Sequence, residues 1–250
     1  MDKNDIEKKS ETAIATTRRG HEDRIDQSDL MIPRTMLIQF TPPKNLEIDP
    51  AVHTPGKIVN SITGEVLPVN KDGNIEFIPI RRGVLWIRFN PQDKDKPNFD
   101  PQFEPGATIW KSSDPSDPRV AAEGAWGEDG TPPLATKYIN YLAFVPGHDM
   151  PIVISFGKTS FKAGKALSTM TQFAPGDLFS WKYKLRSRME QNDQKQKYYV
   201  LVVEKAGKCS TEEFNAAEGI YEIYSGKELK IHEDGAADEN EQATPKQPWE

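Results

Sequence analysis

Runs of alternating hydrophobic and polar residues fill the middle of the chain and predict β-strands. Seven such runs lie at residues 32–40, 75–80, 84–89, 137–146, 150–155, 179–189 and 197–204. Arg81-Arg82-Gly83 separates the second run from the third, which predicts two antiparallel strands joined by a tight basic turn. Pro-Gly and Thr-Gly pairs bracket a further hairpin arm at residues 55–65.

Two segments show helical periodicity instead. Residues 160–173 begin with Ser160 as a candidate N-cap and place apolar side chains on roughly one side. Ser210 and Glu213 form a capping-box pattern in front of a second helix. Sequential hairpins with two helices, and no strand-helix-strand alternation, predict an α+β fold that is mainly antiparallel β. The architecture that we expect is an OB-like curved sheet or small barrel.

A long Pro-rich excursion interrupts the strands at residues 90–135, where eight prolines occur among many Asp and Gly residues. This composition disfavours both helix and central strand, because proline lacks the backbone N–H that either ladder needs. We expect Trp110 and Trp126 to anchor the excursion on an apolar surface. Loops of such length are usually functional.

Charge is segregated along the chain. Residues 151–210 hold eleven Lys and Arg against four Asp and Glu, whereas residues 231–250 hold six acidic residues and one basic residue. Residues 1–30 are highly charged and nearly free of apolar side chains. The composition predicts a disordered N-terminal segment (1–30), a single nucleic-acid-binding domain (31–230) and a disordered acidic tail (231–250).

The net charge of −6 does not argue against a nucleic-acid partner, because residues 31–230 are nearly balanced, with 25 basic and 24 acidic residues. The sequence contains no signal-peptide core and no run of 18 apolar residues, so we expect a cytoplasmic protein with no membrane partner. If a phage encodes the chain, that compartment is the cytoplasm of the host cell.

The segment Trp181–Arg188 carries the main candidate interface. On a strand, alternate side chains share a face, so its cations would lie together. They are Lys182, Lys184, Arg186 and Arg188. Four like charges with few acidic neighbours repel one another, and a phosphate backbone would relieve that repulsion. The alternative is a solvated basic face above an ordinary core.

Trp86 and Arg88 alternate on the strand that follows Arg81 and Arg82. A flat ring beside a cation suits the stacking of an unpaired base with its phosphate, so we take these four residues as part of the same track. The alternative for Trp86 is an ordinary buried core residue.

Gly157-Lys158-Thr159 is similar to the end of a Walker A loop, but Ile152 stands where that motif requires glycine, which excludes a P-loop. What remains is a strand-to-helix turn rich in lysine, a generic phosphate-binding site. Phe156 and Phe161 are its candidates for base stacking, and Lys158 and Lys162 its candidates for phosphate contacts.

Catalytic patterns are lacking. The four histidines are scattered, the acidic pairs fall in loops or on a helix surface, and Cys209 stands alone. We therefore expect no enzyme, no catalytic residues, no metal and no cofactor.

The tail combines acidic residues with Trp249 near its end. Its acidic candidates for partner binding are Asp238, Glu239 and Glu241. Such a segment could compete with DNA for a cationic groove, and Trp249 could dock on a partner protein. The alternative is a solubilising disordered end.

These features resemble bacteriophage single-stranded DNA-binding proteins, which have an OB-fold barrel and an acidic C-terminal tail tipped by an aromatic residue. Residues 55–65, together with Phe77-Ile78-Pro79-Ile80, also resemble phage proteins of replication and recombination. In this tail, neutral residues dilute the acids and Glu250 follows the aromatic.

The resemblance implies sequence-tolerant binding of single-stranded DNA during phage replication or recombination. It also implies replication or recombination proteins as partners of the tail, and it leaves oligomerisation open. The alternative is a phage virion or assembly protein that makes protein-protein contacts. A nuclease or recombination accessory enzyme is a third candidate, without a supporting motif.

Overall fold

A computed structural model describes residues 31–41, 49–227, 229 and 231 of the chain. The predictions for residues 1–30 and for the tail fall outside the described residues, apart from Ile231. This applies to Asp238, Glu239, Glu241 and Trp249. From Ile32 onward, the described residues belong to one compact unit.

Eight strands and three α-helices make up the described part of the chain. The strands are β1 (Thr35–Leu37), β2 (Ile58–Asn60), β3 (Ile75–Phe89), β4 (Thr108–Ser112), β5 (Ala135–Phe144), β6 (Ile152–Phe156), β7 (Trp181–Gln191) and β8 (Lys197–Lys208). The helices are α1 (Pro118–Glu123), α2 (Phe161–Gln172) and α3 (Thr211–Tyr224). The predicted fold class, α+β and mainly antiparallel β, is confirmed.

The main sheet has six strands in the order β6-β5-β3-β7-β8, with β4 also paired to β3. Every pairing between these strands is antiparallel. The terminal strands β6 and β8 do not pair with each other in the described structure, so the sheet is open and no barrel closes. The curved-sheet form of the prediction is the one that fits. A separate two-stranded sheet joins β1 to β2.

Arg81-Arg82-Gly83 is part of a strand, so the predicted basic turn is wrong. Strand β3 continues through this segment, opposite Leu142, Tyr141 and Asn140 of β5. A two-residue hairpin turn needs a left-handed backbone, and none of these three residues has a positive φ angle. The ten-residue partner β5 therefore extends the strand where the local sequence predicted its end.

The Pro-rich excursion contains the elements that its composition argued against. Pro118 occupies the start of α1, where a missing N–H costs nothing, and the Asp117 carboxylate caps the helix by accepting from the Arg119 N–H. Trp110 of β4 is buried, which confirms its predicted anchoring. Trp126 is 52% exposed, so the prediction that it anchors the loop is wrong.

The two predicted helices are present and lie on opposite faces of the sheet. Tyr141 and its neighbour Leu142 in β5 point to different hydrophobic cores, as alternate strand residues must. Leu167 of α2 shares the core of Tyr141, which we call the α2 core. Ala217 of α3 shares the core of Leu142, which we call the α3 core. The predicted capping box of Ser210 with Glu213 is also confirmed.

Side chains and short segments occupy both outer edges of the main sheet. Along β8, the Gln39 amide makes two hydrogen bonds to the backbone of Tyr199, at 2.8 and 2.9 Å, and Ser160 Oγ accepts from the Leu201 N–H. Along β6, the Val153 N–H donates to the Pro33 carbonyl. Occupied edges resist pairing with another chain, so we look to other surfaces for partners.

Candidate nucleic-acid interface

The four predicted cations of β7 lie on the face opposite Tyr183 and Leu185, which are fully buried in the α2 core. The alternation predicted for this strand is thus confirmed. The expectation of few acidic neighbours is wrong, because each cation has a carboxylate partner. Lys182 Nζ lies 2.9 Å from Glu213 Oε1 and 3.7 Å from Glu76 Oε2, Lys184 Nζ lies 3.8 Å from Asp72 Oδ2, Arg186 lies 2.9 Å from Glu204 Oε1, and Arg188 pairs with Glu190.

Only Glu190 of these five partners lies within the predicted strand itself. The others come from β8, α3 and the β3 region, which tertiary folding brings alongside β7. Contact of Lys182, Lys184, Arg186 and Arg188 with DNA stays a prediction, and each phosphate would have to displace a carboxylate. The face is therefore a weaker candidate than its sequence indicated.

The pair of Lys182 and Glu213 shows how firmly one of these cations is held. The hydrogen bond from Lys182 to Glu213 raises the pKa of the Lys182 ammonium above its usual value. Burial alone would raise the pKa of Glu213, but the Ser210 backbone N–H and Lys182 together hold it below the usual range. Both groups are therefore charged at neutral pH.

Trp86 is a core residue, so its predicted role as an exposed stacking platform is wrong. Its exposed fraction is 7%, and it packs with Trp110, Val120 and Ala135 in a small core under the excursion. Lys137 Nζ lies 4.9 Å from the centroid of the indole ring. The alternative of an ordinary core tryptophan is the correct one.

Arg88 is also unavailable on the surface. Its exposed fraction is 8%, and its guanidinium lies 3.1 Å from Glu123 Oε2 and donates to the Asn98 carbonyl at 3.2 Å. The same Glu123 oxygen accepts from Trp110 Nε1 at 2.8 Å. Arg88 therefore ties the excursion to β3, because the buried charge is stabilised only while Glu123 stays beside it.

The strand-to-helix turn at residues 156–162 is partly closed. Phe156 is fully buried in the α2 core, edge-on to Tyr141, so its predicted stacking on bases is wrong. Phe161 packs partly on the same core, and Lys165 Nζ lies 5.3 Å from its ring centroid. Base stacking on Phe161 stays a prediction.

Arg81 and Arg82 point to opposite faces of the sheet. The Arg81 guanidinium donates to the carbonyls of Tyr224 and Lys227 at the C-terminal end of α3, where a cation is favoured by the helix dipole. Arg82 is exposed, and its Nε lies 3.2 Å from Ser168 Oγ of α2. The two arginines therefore do not form one track, although each remains a predicted contact.

Lys158 and Lys162 have no carboxylate partner within the described ranges. Lys162 is exposed on α2, and Lys158 has a left-handed backbone with φ of 46° in the turn before the helix. Their predicted contact with phosphate is compatible with these positions.

Sequence reasoning missed a cluster at the start of β7. Trp181 is half-buried, and its Nε1 donates to the Pro175 carbonyl at 2.8 Å, which fixes the ring. Lys205 Nζ lies 3.5 Å and Lys208 Nζ 5.5 Å from the ring centroid. We call these three residues the Trp181 cluster. The pairing of Trp181 with Lys208 across the β7-β8 hairpin was the signal that could have indicated it.

Neither lysine of the Trp181 cluster forms an ion pair with any carboxylate that the structure describes. The adjoining loop also adds an exposed aromatic ring, since Phe173 lies two residues before Pro175 and is 83% exposed. Unpaired cations next to flat rings are the features that unpaired nucleotides require.

Two other kinds of site can be assessed on the described residues. They contain no group of three or more His, Cys, Asp or Glu side chains that could hold a metal ion. Burial raises the pKa of the Cys209 thiol to about 11, which disfavours the reactive thiolate. None of the helices described has the length and apolar character needed to cross a bilayer.

Residues 4–230 match the model of a family described as Pam3 phage gp34-like protein. This match spans most of the chain, so the protein is a phage protein and belongs to the Pam3 phage gp34-like family. No curated protein and no solved structure matches the chain.

Proposed function

We propose that this phage protein binds single-stranded DNA with little sequence preference during replication or recombination, and that the Trp181 cluster is the main contact. The observation that carries the proposal is a fixed indole ring with two lysines that lack carboxylate partners among the described residues. The β7 face supports it less, because its four cations are already paired.

The magnitudes favour exchange of a lysine for a base on this ring. A cation on an exposed aromatic face is worth about 0.5–1 kcal/mol. Stacking of a nucleotide base is worth about 1–3 kcal/mol. A base that displaces Lys205 from Trp181 therefore gains free energy, and the released ammonium can pair with the adjacent phosphate. The contact needs no particular base, because every base has a flat face.

The experiment is the binding of labelled oligo-dT at several salt concentrations, measured by fluorescence anisotropy. Lys205→Ala/Lys208→Ala should reduce the slope of log affinity against log salt by about 0.7 for each phosphate that the variant no longer neutralises. Trp181→Ala should weaken binding at every salt concentration, because stacking is not a counterion effect. Lys71→Ala/Lys94→Ala is the matched control, since both lysines are exposed and lie in turns away from the cluster.

The proposal fails if the wild-type protein does not prefer single strands over duplex competitor. It also fails if the control variant changes the salt dependence as much as Lys205→Ala/Lys208→Ala does. Lys182→Ala/Lys184→Ala should leave the dependence nearly unchanged, because those cations already have partners. Removal of residues 232–250 should tighten binding if the acidic tail competes with DNA.

The second candidate is a virion or assembly protein that makes protein-protein contacts. Exposed apolar side chains favour it, notably Phe173, Trp126 and Ile223, which are 83%, 52% and 54% exposed. Absence of any single-strand preference in the competition experiment would favour this candidate. We propose no catalytic step in either case.

A further inference from the structure

Helix α2 presents a solvent face without a single acidic side chain. Its exposed residues recur at helical spacing along one side, as an unpartnered face requires. They are Lys162, Lys165, Ala166, Thr169, Gln172 and, directly after the helix, Phe173. No Asp or Glu occurs between Asp149 and Asp177, so nothing local neutralises the two lysines.

Helix α3 presents the opposite pattern. Its outward face carries Glu212, Glu218, Glu222 and the exposed Ile223, whereas Glu213 turns inward to Lys182. No Lys or Arg occurs between Lys208 and Lys227, so the outward glutamates have no basic residue on their own helix. The two helices are therefore complementary in charge, and each also exposes one large apolar side chain.

The arrangement of these side chains also matches. Lys162 and Phe173 are eleven residues apart on α2, and Glu212 and Ile223 are eleven residues apart on α3. Eleven residues of helix advance by about 16 Å and return to nearly the same side. When the two helices lie parallel, Lys162 therefore faces Glu212 while Phe173 faces Ile223, and Lys165 reaches Glu218.

We propose that the α2 face of one copy of this chain binds the α3 face of a second copy. The two faces cannot meet within one molecule, because α2 and α3 pack on opposite sides of the sheet. A contact between two different patches is heterologous, so each copy keeps one free patch of each kind and adds further copies head to tail. The occupant of the α2 face is thus another copy rather than DNA.

The inference does not depend on the proposed DNA binding, because it uses residues outside the Trp181 cluster. Sedimentation velocity of the full chain at low salt should show a weight-average coefficient that rises with concentration and does not stop at the dimer value. High salt should reduce the association, because exposed ion pairs are screened.

Charge reversal tests the direction of the contact. Lys162→Glu/Lys165→Glu makes both faces acidic, and Glu218→Lys/Glu222→Lys makes both basic, so each variant alone should associate at least about tenfold more weakly. An equimolar mixture of the two should associate again, because each variant then meets a complementary face. Lys71→Glu/Lys94→Glu is the control for a simple change of net charge and should associate like the wild type.

Three results would overturn the inference. The wild type could remain monomeric at low salt up to about 100 µM, a concentration well above that of typical specific interfaces. The mixture of variants could fail to associate although each is folded by circular dichroism. The α2 variant could lose oligo-dT affinity while the sedimentation of the protein is unchanged, which would make α2 a DNA contact instead.

Discussion

Asn90 holds the Pro-rich excursion together from the end of β3. Its side chain has no exposed surface, and its Oδ1 accepts from the Asp100 N–H at 2.8 Å. Its Nδ2 donates to the carbonyls of Asp100, Phe103 and Glu104 at 2.9, 2.8 and 3.2 Å. One amide thus organises a loop that has few backbone hydrogen bonds of its own.

Asn90→Ala removes all of these bonds at once. A net contribution of about 1 kcal/mol per hydrogen bond, reduced because an opened loop can hydrate its carbonyls, gives a loss of about 2–4 kcal/mol. The loss is local, since the cores on either face of the sheet do not include Asn90. We therefore expect the excursion to open while the sheet remains folded.

Hydrogen exchange of the Asp100 amide measures this opening directly. A loss of about 2 kcal/mol corresponds to a rate of exchange about 30-fold faster, and tenfold follows from each 1.4 kcal/mol. The control is Asn98→Ala, which changes the same residue type in the same loop, and whose side chain makes no hydrogen bond within the described ranges. Exchange at Tyr141, in the sheet, should change little in either variant.

The reasoning is refuted if Asn90→Ala leaves the exchange of Asp100 as slow as in the wild type. Equal acceleration in Asn98→Ala would also refute it, because the loop would then be insensitive to which amide is removed. Global unfolding at the same temperature would show instead that the excursion and the sheet form one cooperative unit.

Three further predictions concern packing and titration. Gly164→Ala should destabilise the fold by about 1–3 kcal/mol in chemical denaturation, because the new Cβ would lie 2.6 Å from the Cβ of Phe156, and a gain in stability would contradict this packing. Cys209, whose pKa is raised to about 11, should react with iodoacetamide at pH 8.5 far more slowly in the native than in the urea-unfolded protein; equal rates would contradict its burial. The lowered pKa of Glu213 stabilises the fold above its ordinary value of 4.5 and is lost on acidification, so the melting temperature of Glu213→Gln should approach that of the wild type as the pH falls; a constant difference would contradict the pairing with Lys182.

Local chemistry made much of the fold predictable. The capping box at Ser210 and the helix at residues 160–173 appeared where the sequence indicated, because caps and helical spacing depend on neighbours a few residues away. The alternation in β7 was predictable for the same reason. The continuous strand through Arg81-Arg82-Gly83 was not, since only the partner β5 decides whether that segment turns.

The candidate site depended on tertiary structure far more than the fold did. The sequence by itself determined that Lys182, Lys184, Arg186 and Arg188 share one face, because strand geometry fixes alternation. Only the tertiary structure decided that carboxylates distant in the chain lie beside three of these cations, and that Trp86 is buried whereas Trp181 remains half-exposed between two lysines. The physical reason is that periodicity determines which side of an element a side chain takes, while burial and pairing depend on which distant elements cover that side.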